Sequence, residues 1–164
     1  MAGPRLICVM GVAGCGKSTL GAALGAALPA PFIEADAYHP AANIAKMTAG
    51  APLTDEDRWP WLDALGAAAP AEGRAVIACS ALRRVYRERL AAAAGEPVFF
   101  LHLAGEKAVI GARMAGRVGH FMPPALLDSQ FATLEPPDPD EPHLALDAAR
   151  PPDILIEIAL KELT

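Results

Sequence analysis

Residues 11–19, GVAGCGKST, carry the pattern G-x-x-x-x-G-K-[ST] and follow directly on the apolar run RLICVM. These residue types at this spacing bind phosphate. Gly11, Gly14 and Gly16 let the backbone curl so that its N–H groups point inward at phosphate oxygens, with Val12, Ala13 and Cys15 at the variable positions. Lys17 brings a point charge to the outer phosphates, and Ser18 can place its hydroxyl on Mg²⁺, with Thr19 following it. A helix starting near Lys17 adds the positive end of its dipole. The loop specifies a bound triphosphate and leaves open what is done with it.

Other segments supply the remaining chemistry. A GTPase or motor-type NTPase normally has a strand that ends in an acidic residue for Mg²⁺. The run RAVIAC ends instead in Cys79-Ser80, and the acidic groups lie in EADAYHP. Asp36 there can accept the proton of a substrate hydroxyl or help hold the metal through water; the plainer reading is a turn-capping residue. In CSALRRVYRERL, Arg83 and Arg84 fall in the first turn of a helix, where the dipole disfavours cations by roughly 0.3–1 kcal/mol. An anion nearby would offset this. Arg87 lies one turn beyond Arg83 on the same face. Arg83 and Arg87 therefore read as anion contacts, against the plainer reading of a solvated face. Arg113 and Arg117, four apart and followed by His120, can swing over a triphosphate if their segment is mobile. His39 and His120 have no metal-ligand spacing, so hydrogen bonding is the expected role of both. His102 alternates into a strand and reads as a core or edge histidine.

These groups need elements that bring them together. RLICVM reads as a buried strand, and Leu20, Leu24 and Leu28 mark one apolar helical stripe after the loop. PFIEAD, RAVIAC, PVFFLHL and HLALD are further strand-like runs. Helices are expected over residues 40–50, from Thr54 with its capping-box Asp57 to about Ala69, from a Ser80 cap to Gly95, and over PPDILIEIALKEL. EPPDPDEP reads as a Pro- and acid-rich loop. Short apolar strands alternating with helices predict an α/β fold with a parallel sheet covered on both faces. Ligands on such sheets bind at the carboxyl ends of the strands, where the glycine loop, Asp36 and Ser80 all fall.

The bulk properties bound the function. The chain has 164 residues, enough for one domain with a full core and no linker to divide it. A net charge of -5, without a long basic run, argues against general nucleic-acid binding. No apolar stretch reaches the roughly 18 residues of a membrane span, and no signal-peptide layout precedes the first strand. Cys8, Cys15 and Cys79 fit no zinc or redox spacing. A reducing cytoplasm is the expected setting.

Taken together, GVAGCGKST, EADAYHPAANIAKMTAGAPLTDEDRWPWL, CSALRRVYRERL and GHFMPPALLDSQFATLEPP resemble the gluconokinase family of small P-loop kinases, over about residues 6–147. The second and fourth segments are far more specific than the loop. The resemblance implies a three-layer P-loop kinase fold with a five-stranded parallel sheet and a mobile helical lid, here about residues 105–135. It implies ATP- and Mg²⁺-dependent transfer of the γ-phosphoryl group to the 6-hydroxyl of D-gluconate, and commonly a homodimer. By match, Gly11 to Thr19 carry the triphosphate and metal, with Lys17 acting on the transferred group, and Asp36 orients or deprotonates the hydroxyl. His39, Lys46, Asp57, Arg58, Ser80, Arg83, Arg87, His120 and Gln130 are implied for the sugar-acid pocket, and Arg113 and Arg117 resemble the lid arginines. The adenine would lie near Asp147 to Pro151. The chain departs from the pattern at Ala35, where glycine is usual, and at Ala37. Alternatives are another small-molecule P-loop kinase, with shikimate or a nucleotide as acceptor, or a non-catalytic ATP-binding module.

Overall fold

The computed structural model describes residues 3–115 and 124–164. Arg117 and His120 lie outside the described residues. Five strands form one parallel sheet: β1 (Leu6–Met10), β2 (Phe32–Glu34), β3 (Ala75–Ala78), β4 (Phe99–Ala104) and β5 (His143–Asp147), in the order β2-β3-β1-β4-β5. β1 is central because all five of its residues are apolar and wholly buried, so neither face tolerates solvent.

The pleat sends alternate β1 side chains to opposite layers. Ile7 and Val9 join a cluster with Leu20 and Leu24 of α1 (Lys17–Ala27) and Leu155, Ala159 and Leu163 of α7 (Pro152–Leu163). Leu6, Cys8 and Met10 join Trp61, Leu62 and Leu65 of α3 (Asp55–Ala67) and Tyr86 and Leu90 of α4 (Arg84–Ala94). The result is the three-layer α/β arrangement that the sequence pattern predicts. α2 (Ala41–Thr48), α5 (Lys107–Ala115) and α6 (Pro124–Thr133) complete the described helices.

Three local features differ from the sequence reading, and all lie at the carboxyl edge of the sheet. β2 stops at Glu34, and residues Ala35–Tyr38 form a 3₁₀ turn that carries Asp36. The turn is pinned where the Trp61 indole N–H donates to the Ala35 carbonyl at 2.8 Å. Helix α4 begins at Arg84 with Arg83 as its N-cap, so Ser80 is not the cap. Ser80 to Leu82 instead form a loop in which Ala81 takes a φ of 44°, a left-handed conformation unusual for a residue with a Cβ. Thr54 and Asp57 do form a reciprocal capping box on α3, as their spacing predicts.

Candidate active site

The phosphate loop leaves β1 and enters α1. Gly11 has a φ of 151°, and a Cβ there would lie 2.7 Å from the Cys15 thiol and 2.9 Å from the Leu103 carbonyl, so only glycine fits. Val12 and Cys15 turn into the core, which leaves the loop backbone and Lys17 to face outward. The N-cap of α1 is Gly16, without a side-chain cap, and no acidic residue sits in the first turn. The positive end of α1 is thus left for an anion. Lys17 donates to the Val12 carbonyl at 3.0 Å, and the Gly11 N–H donates to the Ser80 carbonyl at 3.3 Å.

Ser18 donates its hydroxyl to the Glu34 carboxylate. Hydroxyl and carboxylate oxygens are the hard donors Mg²⁺ prefers, so this pair fits the metal implied by the loop. Glu34 was not singled out by sequence reasoning, because at the end of an apolar strand it reads as an edge residue. Its contact with the hydroxyl sixteen positions earlier is tertiary. Beside the loop lies a cavity of about 320 Å³ lined by Cys15, Gly16, Thr19, Arg113, Arg150 and Leu155, among others. It lies where the adenine is expected.

The 3₁₀ turn, α2, α3 and the start of α4 build the neighbouring region, where the acceptor is expected. Asp36 is exposed on its turn. His39 stacks on Trp61 with ring centroids 4.2 Å apart and shares a 3.2 Å hydrogen bond with the Asn43 amide. Burial holds the His39 pKa below the usual imidazole value, against the opposing pull of Asp36. Asn43, itself buried, donates to the Asp57 carbonyl at 2.9 Å. Lys46 pairs with the Asp57 carboxylate at 2.6 Å and, with the Thr54 N–H, draws that carboxyl down to about 2. Lys46 and Asp57 are therefore each other's partners here, and the Asp57 carboxylate also accepts from the N–H of Thr54, the N-cap of α3.

Arg58 and Arg83 gather around Tyr86. Their guanidinium carbons lie 5.0 and 5.7 Å from its ring centroid, the range of cation–π contact. Asp55 joins them: Oδ2 accepts from Arg83 at 2.7 Å, and Oδ1 accepts from the Tyr86 hydroxyl at 2.5 Å. The Tyr86 hydroxyl bond and Arg83 together hold the Asp55 carboxyl below the ordinary carboxylate range. Asp55 and Tyr86 went unremarked at the sequence level, since one reads as helix-start charge and the other as core.

The anion expected beside Arg83, Arg84 and Arg87 is present, and it belongs to the chain itself. The acidic loop 135–142 lies across the start of α4. Glu135 accepts from Arg83 at 3.3 Å and from the Arg84 N–H at 3.0 Å, and Arg84 also pairs with Asp138 at 3.0 Å and Asp140 at 2.7 Å. Arg87 is 1% exposed and makes a bidentate pair with Glu141, at 2.7 and 3.1 Å, while its third nitrogen donates to the Ala81 carbonyl at 2.8 Å. All three of its donor nitrogens face protein, so Arg87 supports the Ala81 loop rather than presenting itself to a ligand. Gln130, expected on the acceptor side, instead accepts from the Ala13 N–H of the phosphate loop at 2.6 Å. Arg113 lines the cavity beside the loop.

His102 sits buried in β4, and desolvation together with the nearby Arg87 lowers its pKa to about 4. A histidine whose folded pKa lies below its unfolded value gives no penalty above pH 6.5. Stability is then lost as pH falls from 6.5 towards 4, because the unfolded chain binds the proton first. The loss should reach roughly 3 kcal/mol across that window. Urea unfolding at pH 7 and pH 5 should show about 2 kcal/mol of it for the native chain, and His102→Gln should flatten that part of the profile.

The chain resembles known proteins over most of its length. The AAA domain family model matches residues 6–137. The gluconokinase of Gluconobacter oxydans is 45% identical over 160 residues, spanning 94% of this chain and 88% of its own. The thermosensitive gluconokinase of Escherichia coli is 49% identical over 146 residues, spanning 86% of this chain and 76% of its own. Among solved structures, a gluconokinase from Sinorhizobium meliloti superposes with a TM-score of 0.91 at 45% identity, over 99% of this chain and 93% of that one. With gluconokinases matched at 45–49% identity over most of both chains, on a sheet whose central strand leads into a phosphate loop, the chain belongs to the gluconokinase family of P-loop kinases.

Proposed function

We propose that the protein transfers the γ-phosphoryl group of ATP to the 6-hydroxyl of D-gluconate, giving 6-phospho-D-gluconate and ADP. The observation that carries this reading is the convergence at one sheet edge of an uncapped phosphate loop after β1, a carboxylate on the turn after β2, and arginines beyond β3. Phosphoryl transfer asks mainly for positioning and charge neutralisation. Lys17 would exchange its resting bond to Val12 for the outer phosphates, and the loop N–H groups and the start of α1 would hold the rest of the chain of phosphates. Mg²⁺, held by Ser18 with Glu34 close by, would neutralise phosphate charge. The cavity by Thr19 and Arg113 would take the base. Arg113, with Arg117 from outside the described residues, would meet charge that develops on the moving group.

On the acceptor side, Arg58 and Arg83 would meet the gluconate carboxylate, with His39, Lys46, Asp57, Ser80 and His120 available to its hydroxyls. Asp36 would accept the proton of the attacking hydroxyl. A coupled ADP-release assay across gluconate, shikimate and nucleoside monophosphates tests the reading, with gluconate expected to stimulate turnover and the others not. Tight ATP binding without acceptor-stimulated ADP release would make the chain a binding module instead. Arg83→Ala should raise the gluconate KM by roughly 10-fold or more, the effect of losing a charged contact of about 1.5–3 kcal/mol, with little change in the ATP KM. An unchanged gluconate KM would remove Arg83 from the carboxylate site.

We also place the enzyme in the cytoplasm as a homodimer. Its three cysteines are free and buried, as a reducing compartment allows, and among the described residues no helix is long and apolar enough to cross a membrane. Light scattering on the purified chain tests the assembly.

A further inference from the structure

Two contacts of one short segment touch the two halves of the site. Gln130, near the end of α6, accepts through Oε1 from the Ala13 N–H at 2.6 Å. Five positions on, Glu135 accepts from Arg83 and from the Arg84 N–H, at 3.3 and 3.0 Å. The backbone between them is fixed at both ends. The Leu134 N–H donates to the Gln130 carbonyl at 2.9 Å, which continues the helix, and the Glu135 N–H donates to the Leu82 carbonyl at 2.7 Å. Leu134 itself packs against both core clusters. A segment held in this way transmits a displacement at one end to the other, because packed side chains and helical backbone do not stretch.

Each end also has a reason to matter. Ala13 lies on the loop that cradles the outer phosphates, and its N–H would otherwise have to find another acceptor. Arg83 is drawn on one side by Asp55 and on the other by Glu135, so removing either carboxylate lets the guanidinium move towards the other. We propose that Gln130 and Glu135 are paired positioning residues: together they brace the phosphate loop against the acceptor arginine and set the spacing across which the phosphoryl group moves. The proposal rests on the kinase reading above for its acceptor half.

The test is a cross-effect. Gln130→Ala and Glu135→Ala, and the double variant, are compared with the native protein for ATP-analogue affinity by calorimetry, gluconate KM, kcat and thermal unfolding. Glu135 makes no hydrogen bond or ion pair to a phosphate-loop residue among those described, yet Glu135→Ala should weaken binding of the analogue, and Gln130→Ala should raise the gluconate KM, each by about threefold or more, as for residues in one network. The double variant should be little worse than the worse single one. Glu135→Gln, which keeps an acceptor for the Arg84 N–H, should recover part of the analogue affinity. Variants that disturb only the site they touch, or that multiply in the double variant, overturn the brace. If gluconate gives no ADP with the native protein, the acceptor assignment fails, while the effect of Glu135→Ala on analogue affinity still decides whether the brace exists.

Discussion

Arg87→Ala should destabilise the fold by roughly 3–5 kcal/mol, the cost of leaving half of a buried ion pair behind. Two groups lose the guanidinium at once. The Glu141 carboxylate keeps only the Asp138 N–H, at 2.7 Å, and the Ala81 carbonyl loses its donor. Water cannot easily replace the guanidinium at a site where the arginine is 1% exposed. A void of side-chain size adds to the penalty. The Ala81 carbonyl belongs to a residue held at a φ of 44°, so the same change releases a strained loop whose neighbour, Ser80, accepts from Gly11 of the phosphate loop. Urea unfolding at neutral pH measures the effect. Glu141→Gln should cost less, because its amide oxygen can still accept one guanidinium N–H. The double change Arg87→Met with Glu141→Leu should recover much of the loss, since removing both charges avoids an orphan. A loss below about 1 kcal/mol for Arg87→Ala would mean that the pair is solvated in solution and does not hold the loop.

Carboxylates lie beside the arginine-rich start of α4, where an anion would offset the helix dipole. Nothing local tells a ligand anion from the chain's own acidic loop, because Arg84 and Asp140 are fifty-six positions apart and no local period links them. The strands and the phosphate loop were legible because apolar runs and glycine spacing act over a few residues. The capping box of Thr54 and Asp57 was legible for the same reason. Glu34 and Asp55 read locally as a strand end and helix-start charge, and Gln130 is placed in the sugar-acid pocket only by the family resemblance. Their contacts with Ser18, Arg83 and Ala13 depend on how β2 meets α1, α3 meets α4 and α6 meets the phosphate loop. The Ser80 loop was misread as a cap because a serine before a helical run is the usual signal, and nothing local announces that Ala81 adopts a left-handed turn.

Asp36→Asn should lower kcat for gluconate phosphorylation by roughly 10²–10⁴-fold, the usual contribution of a positioned base, with the KM for ATP nearly unchanged. The substitution keeps size and hydrogen-bonding capacity, and the turn is held by Trp61 through the Ala35 carbonyl rather than by the Asp36 side chain. The buried methyl of Ala35 lies in the same cluster as Trp61, so the residue that departs from the family pattern here packs as part of the anchor. Geometry at position 36 should therefore survive the change, and the loss can be read as chemistry. Steady-state ADP release with saturating gluconate checks it. A second outcome separates base from metal support. If Asp36 acts by holding Mg²⁺ through water, raising the Mg²⁺ concentration should restore much of the activity of Asp36→Asn, since weaker binding yields to mass action. If it accepts the hydroxyl proton, excess metal restores nothing, because the amide cannot take that proton. Full activity of Asp36→Asn would exclude both roles and return Asp36 to a plain turn residue. The catalytic burden would then fall on Lys17, the loop N–H groups and the arginines that meet the phosphates.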